Sequence, residues 1–200
     1  MSFDIDVSRE TFTRLQTYHD LLTKWNPTIN LVSKASVDVL WDRHIWDSAQ
    51  IYQIAGHGDA WADIGSGGGL PGLVVAILAL EMQPSRVVIL VESDARKATF
   101  LRTVIRELGL SSKVVASRVE AIDPLNADIL SARALADLNN LLGYAYRHLK
   151  ADGHAIFLKG ASWEKEVEDA RRSWSFDVVA HKSKTNDDSA VLEVKDIKRA

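Results

Sequence analysis

A ten-residue stretch, Asp63-Ile64-Gly65-Ser66-Gly67-Gly68-Gly69-Leu70-Pro71-Gly72, limits what this chain can fold into more than any other. Half of it is glycine, although the whole 200-residue chain has only 11. A short extended segment, Ala60-Trp61-Ala62, precedes it, and an apolar run over 73–80 follows. Strand, glycine-rich turn and helix in that order set a small ligand against bare backbone at a helix N-terminus. Solvent-facing linkers are not bracketed so closely by apolar elements, so the stretch reads as a ligand loop.

The sequence after the loop supplies the fold class. Residues 86–92, Arg-Val-Val-Ile-Leu-Val-Glu, form a continuous apolar strand ending in an acid. Apolar character without alternation means burial on both faces, hence a parallel sheet. The spacing then predicts a helix from Asp94 to about Leu108, with Leu101, Val104, Ile105 and Leu108 inward and Gly109 as its stop. Strands follow at 113–116, 127–132 and 154–159, with helices at 137–149 and 163–174 between and after them. Strands at 176–180 and 190–194 flank the turn cluster Thr185-Asn186-Asp187-Asp188 and pair as a hairpin. The expected architecture is α/β, a doubly wound, seven-stranded, mostly parallel sheet with a terminal antiparallel hairpin. Residues 59–200 make that domain, and 1–58 a helical extension packed on it.

Within the extension, Ser8 reads as an N-cap and Val7 with Phe12 as a hydrophobic staple. Phe12, Leu15, Leu22 and Trp25, with Tyr18 and Leu21 beside them, follow helical spacing, and Asn26-Pro27 reads as the helix end. A second helical segment begins at Ser33 or Ser36 and carries Val37, Leu40, Trp41 and His44 on one stripe. Arg43 and Asp47 stand i,i+4 as a surface ion pair, and by spacing alone His44 reads as a buried, satisfied histidine. Trp41 and Trp46 flank this cluster as packing or stacking surface.

Charge and cysteine usage narrow the partners. With 24 basic and 27 acidic side chains the net charge is −3, so any RNA contact must come from a local patch. The chain has no cysteine, which removes disulfides, thiolate nucleophiles and cysteine-ligated metal centres and fits a reducing compartment. The acidic N-terminus lacks the apolar core of a signal peptide, and the run after Pro71 is short of the roughly 20 residues a bilayer needs. The expectation is a cytoplasmic protein with no membrane anchor and no bound metal.

Two nucleotide ligands compete for the loop. A dinucleotide fingerprint is Gly-x-Gly-x-x-Gly, whereas Gly65, Gly67 and Gly69 alternate. Asp63 stands where a pyrophosphate would lie, which disfavours an anion and suits a cation. Glu92 at the end of the second strand can accept both hydroxyls of a ribose. S-adenosylmethionine, with a ribose, an ammonium, a sulfonium and no phosphate, fits the two acids better than a pyridine dinucleotide does. A Walker loop is excluded, since no Gly-Lys-Ser/Thr follows.

These residues carry a resemblance that runs essentially along the whole chain. It resembles the RsmG type (glucose-inhibited division protein B family) of small-subunit ribosomal RNA guanine-N7 methyltransferases. Leu21-Leu22 with Trp25-Asn26 and Asn30-Leu31 looks like that family's N-terminal signature, and Arg43-His44 with Asp47-Ser48 like its Arg-His-x-x-Asp-Ser motif. The loop from Asp63 to its Pro71-Gly72 ending, the block from Glu92 to Leu101 with Lys97 and Phe100, and Arg118-Val119-Glu120 are similar in turn. Ser131-Ala132-Arg133-Ala134 matches the fourth-strand motif and Lys159-Gly160 the fifth.

The resemblance implies a class I S-adenosylmethionine-dependent, Rossmann-like fold, with cofactor contacts at Gly65, Leu70, Val119, Glu120 and Arg133. Asp63 and Gly67 belong to the same loop, Glu92 would hold the ribose, and Val119 with Glu120 would flank the adenine. The implied reaction is N7-methylation of guanine 527 in 16S ribosomal RNA, by a monomer acting on the RNA or the small ribosomal subunit. Guanine N7 has a free lone pair at neutral pH, so alignment and charge matching lower the barrier and no general base is assigned. Arg133 is expected to order the cofactor or the target base, and Lys159, Arg43, His44 and Lys97 to line the RNA side. N7 in an RNA helix faces a deep, narrow groove, so the target should be unpaired or flipped out. Two alternatives are a same-fold methyltransferase for a small molecule or protein, and a regulator that binds cofactor or RNA without transfer.

Overall fold

The computed structural model describes residues 6–33 and 39–200. The expected Ser36 cap and Val37, like the first five residues, lie outside the described residues. Seven strands form one sheet: β1 (Ala60–Ile64), β2 (Val87–Val91), β3 (Ser112–Val115), β4 (Ala127–Arg133), β5 (Leu149–Lys159), β6 (Trp174–Lys182) and β7 (Ala190–Arg199). Their order across the sheet is β3-β2-β1-β4-β5-β7-β6. The pairs among β1 to β5 are parallel, and β7 is antiparallel to both β5 and β6. This is the doubly wound sheet with a terminal hairpin that the sequence pattern predicts, and the order reverses between β1 and β4. Ligands of open α/β sheets bind at such a reversal, beyond the C-terminal strand ends.

Neighbouring residues of one strand feed two different cores, as burial on both faces requires. Ile129, Ile156 and Val191 enter one core, and Leu130, Phe157 and Leu192 the other. The first core is shared with α1 (Arg9–Ile29), α2 (Asp47–Ala55), α3 (Gly72–Met82) and α4 (Ala95–Leu108). The second is covered by α5 (Leu138–His148) and α6 (Trp163–Ala170). Gly72 through Ala79 are all buried, so α3 has no wet face before its last turn, which explains the unbroken apolar sequence there. Among the described residues, no helix is long and apolar enough to cross a membrane.

Several boundaries depart from the sequence pattern. The Ser8 cap is present, its hydroxyl accepting from the Thr11 N–H at 3.2 Å. Yet α1 runs past Asn26-Pro27 to Ile29. The Asn26 side chain accepts from the Leu31 and Val32 N–H groups at 2.7 and 2.8 Å, so the chain end that Pro27 disturbs is repaired by a side chain. Phe12 is partly exposed and stacks on Trp41, while Leu15, Tyr18 and Leu22 form the buried stripe. The helix expected to reach Trp174 ends at Ala170, because Trp174 is buried against α5 and donates to Asn139 Oδ1 at 3.0 Å. The first residues of the second helical segment, Trp41–Trp46, form a π-helix rather than an α-helix.

Helix α1 is not a detached layer. The Tyr18 hydroxyl donates to the Gly68 carbonyl at 2.7 Å, fully buried beneath the glycine loop. A Cβ at Gly68 would stand 3.3 Å from both the Leu31 side chain and its carbonyl oxygen. The extension therefore shapes the loop from below.

Candidate active site

Strand register brings the key residues to one level. Ile64 of β1 pairs with Val91 of β2 and with Ala132 of β4. The next residue on each strand is Gly65, Glu92 and Arg133, so all three emerge side by side at the reversal. Gly65, Gly67 and Gly69 have φ of 64, 54 and 90°, values that suit glycine. The turn closes on itself through the Gly69 N–H to the Ser66 carbonyl at 2.6 Å. Glu92 spans the gap between strand ends, accepting from the Gly67 N–H and the Asp94 N–H, each at 2.8 Å.

A cavity of about 280 Å³ lies on this loop, lined by Gly65, Gly67, Glu92, Val119, Glu120 and Tyr144 among others. Its chemistry fits the expected methyl donor. Bare glycine backbone admits a chain close to the loop, and each Glu92 oxygen keeps a lone pair for a ribose hydroxyl. Val91, Val119 and Leu135 supply apolar wall for an adenine. Glu120 accepts from the Tyr144 hydroxyl at 2.5 Å, which holds its carboxyl below the usual carboxylate range. Lys97, expected on the RNA side, and Arg118 line this cavity on the glycine loop.

Three residues assigned to the cofactor, Asp63, Leu70 and Arg133, do not line this cavity, and Arg133 lines a second cleft instead. Asp63 is fully buried below the loop, receiving the Ser131 hydroxyl at 2.6 Å, and Ser131 in turn receives the Trp61 indole N–H at 2.8 Å. Burial raises its pKa from 3.8 to about 6, opposed by the Ser131 and Ser66 hydroxyls, the Gly72 N–H and Arg133. Asp63 is thus placed below the loop, with Oδ1 on the Ser131 hydroxyl, and not on the cavity wall. The Leu70 side chain packs into the first core for the same reason, because the residue after the glycines turns inward to begin α3.

A second cleft, of about 300 Å³, opens on the other side of the β4 end. Arg43, His44, Asp47, Arg133, Lys159, Ser183 and Thr185 line it. Arg133 sits mostly buried at its centre, 3.7 Å from Asp47 and donating to the Arg43 carbonyl at 3.4 Å. The guanidinium also contacts His44 Nδ1. A guanidinium can only donate, so Nδ1 accepts, and the neutral ring carries its proton on Nε2. Burial first, then Arg133 and Arg43, lowers the His44 pKa to about 4. His44 is thus buried, as spacing suggested, yet its Nε2 has no protein partner.

Asp47 does not form the expected helical pair with Arg43. Its Oδ1 accepts from Gln50 at 2.7 Å, Thr185 at 2.9 Å and Ser183 at 3.0 Å, which clamps the β6–β7 connection onto α2. The π-helix turn moves Arg43 off the α-helical register that the i,i+4 pairing needs. Lys159 also differs from expectation. Its ammonium contacts Glu166 at 2.6 Å and donates to the Ala136 carbonyl at 3.0 Å, while Glu166 accepts from the Leu138 N–H at 2.9 Å. It is a tether for the loop after β4, although it lines the cleft.

The two cavities meet at Ala134. This residue has φ 52°, a left-handed conformation that costs a non-glycine residue about 1–2 kcal/mol. Leu135, next to it, lies over Gly65 and lines the first cavity, 2.5 Å from where a Gly65 Cβ would be. Leu135, Tyr144 and the Ser183 and Thr185 hydroxyls are site residues that sequence reasoning missed. No spacing rule joins them to the motifs, since three elements far apart in the chain bring them in.

The comparisons with known proteins agree with this geometry. The Corynebacterium glutamicum TehB-like SAM-dependent methyltransferase superposes with a TM-score of 0.60 at 16% identity, covering 90% of this chain and 98% of that one. A mutant of MtNAS solved with S-adenosylmethionine gives 0.58 at 18% identity, covering 92% of this chain and 75% of that one. Both share the fold. Relatives in sequence are nearer. A "Ribosomal RNA small subunit methyltransferase G" of Ruegeria pomeroyi is 53% identical over 98% of this chain and 96% of its own. The protein of the same name in Paracoccus denitrificans is 48% identical over 98% of this chain and 100% of its own. Residues 11–191 match the family GidB, described as rRNA small subunit methyltransferase G, and the chain belongs to that family.

Proposed function

We propose that this chain transfers a methyl group from S-adenosylmethionine to N7 of a guanine in 16S ribosomal RNA, guanine 527, on the free RNA or the small subunit. The alignment of Gly65, Glu92 and Arg133 at three adjacent strand ends, between two cavities that meet at Ala134, carries the reading. The cofactor supplies an electrophilic methyl on a sulfonium. Glu92 holds the ribose, Val119 and Glu120 receive the adenine, and Tyr144 orients Glu120. Arg43 and Arg133 hold the RNA beside the second cleft, and Lys159 fixes the loop between the cavities. Since N7 needs no deprotonation, the neutral His44 is not called on as a base, and its Nδ1 is occupied in accepting from Arg133. Each cleft is completed by this chain's own residues, which supports action as a monomer, and the ribosomal substrate supports a place in the cytoplasm.

The test is direct. The protein is incubated with methyl-labelled cofactor and small subunits or 16S RNA lacking the modification, and the label is mapped. Label at N7 of guanine 527 is expected, and absence of label from every guanine N7 overturns the reading.

A further inference from the structure

Beyond the cofactor and RNA residues, the chain carries a feature at the junction of the two cavities that neither assignment uses. In a regular strand, residues i and i+2 project to the same side. Arg133 and Leu135 do not. Arg133 lines the second cleft and Leu135 the cofactor cavity, while Ala134 lines both. The left-handed turn at Ala134 (φ 52°) separates them, at a residue type that bears strain there which glycine would not. The turn is held on both sides. Arg133 is fastened to Asp47 and to the Arg43 carbonyl, and the Ala136 carbonyl is fastened to Lys159, itself paired with Glu166.

We infer that Ala134 is a positioning residue for methyl transfer: its side-chain methyl is the shared wall over which donor and acceptor meet, and its size sets their approach. This rests on the reading that one cavity takes the cofactor and the other the target base. An in-line displacement needs the acceptor nitrogen behind the transferring carbon at near-contact distance. A wall one carbon high lets the two ligands meet. A taller one keeps them apart while each still finds its own cavity. With no side chain there the wall is gone, and nothing on the loop sets the distance between the two ligands.

The experiment compares Ala134→Leu and Ala134→Gly with the parent chain. Cofactor affinity is measured by calorimetry, RNA affinity by gel shift, and transfer to guanine N7 under single-turnover conditions. Leucine bears the same left-handed strain as alanine without β-branching, so the backbone preference changes little. For Ala134→Leu the transfer rate is expected to fall at least about 100-fold, roughly 2.7 kcal/mol on the barrier, with both affinities within about threefold of the parent. For Ala134→Gly, thermal stability should equal or exceed the parent's while transfer falls about tenfold, so this variant tests the idea even where the leucine chain does not fold. A leucine or glycine variant that transfers at the parent rate overturns the inference. So does a leucine variant whose rate loss is matched by lost cofactor or RNA affinity, since Ala134 would then wall one cavity only. The parent chain in the same assay separates the two levels: if it labels guanine N7, the proposed function stands whatever the variants do.

Discussion

Asp63→Asn should stabilise this protein at neutral pH while leaving its cofactor affinity almost unchanged. Asp63 is fully buried, and burial raises its pKa from 3.8 to about 6. Between those values the folded chain holds a proton that the unfolded chain has released, so stability falls as pH rises from 3.8 through 6. Above that range the ionised carboxylate lowers stability by about 3 kcal/mol, at about 1.4 kcal/mol per unit, and below it the penalty is gone. Asparagine keeps an oxygen for the Ser131 hydroxyl and does not ionise. For a domain of this size about 3 kcal/mol corresponds to roughly 6–12 °C in the thermal midpoint. The assay is thermal unfolding of parent and variant at intervals from pH 4 to 8. The variant should lead by that margin at pH 7.5 and converge with the parent near pH 4. The acid-side destabilisation from His44, whose folded pKa is held at about 4, runs the opposite way but is common to both chains and cancels in the difference. A difference independent of pH, or a variant less stable at pH 7.5, refutes the reasoning. A tenfold loss of cofactor affinity would instead restore Asp63 to the direct contact its sequence position suggested.

Other perturbations test the remaining parts of the site. Tyr18→Phe leaves the buried Gly68 carbonyl without its donor, so stability should drop by about 1–2 kcal/mol, read as a lower denaturant midpoint at unchanged m-value. Arg133→Ala leaves Asp47 without its cation but with its three other donors, and should cost about 1–3 kcal/mol in chemical unfolding. In the same variant the His44 pKa, followed by NMR, should rise yet stay below the ordinary histidine value, because burial is the larger cause of its depression. Glu92→Gln removes the charged acceptor of the Gly67 and Asp94 N–H groups and should weaken cofactor binding at least tenfold by calorimetry.

The sheet and its glycine loop were legible because their causes are local. The continuous apolar run on β2 implies burial on both faces, and Gly65, Gly67 and Gly69 are needed where φ is positive. The helix stops at Gly109 and the caps at Ser8 and Asp94 are likewise decided within a few residues. Pro27 misled although the reason is close in the chain: the Asn26 side chain takes the Leu31 and Val32 N–H groups and completes a chain end that the backbone alone could not. Trp174 leaves the expected helix because α5 offers it a buried slot and a hydrogen-bond acceptor.

Local chemistry therefore settled that this chain has a ligand loop between a parallel strand and a buried helix, and which residues sit at its strand ends. Only the packed molecule assigned their partners. Asp63 and Glu92 are both acids at strand ends, yet one lies under the loop and the other spans it. Arg43, Asp47 and Arg133 all carry charge, yet Asp47 turns to Arg133 and to two hydroxyls more than 130 residues away. Burial and charge pairing depend on what is near in space, and nearness across the sheet is set by strand order, which no short stretch of sequence contains. The glycine turn could be read in ten residues; the wall at Ala134 exists only because two cavities close on either side of it.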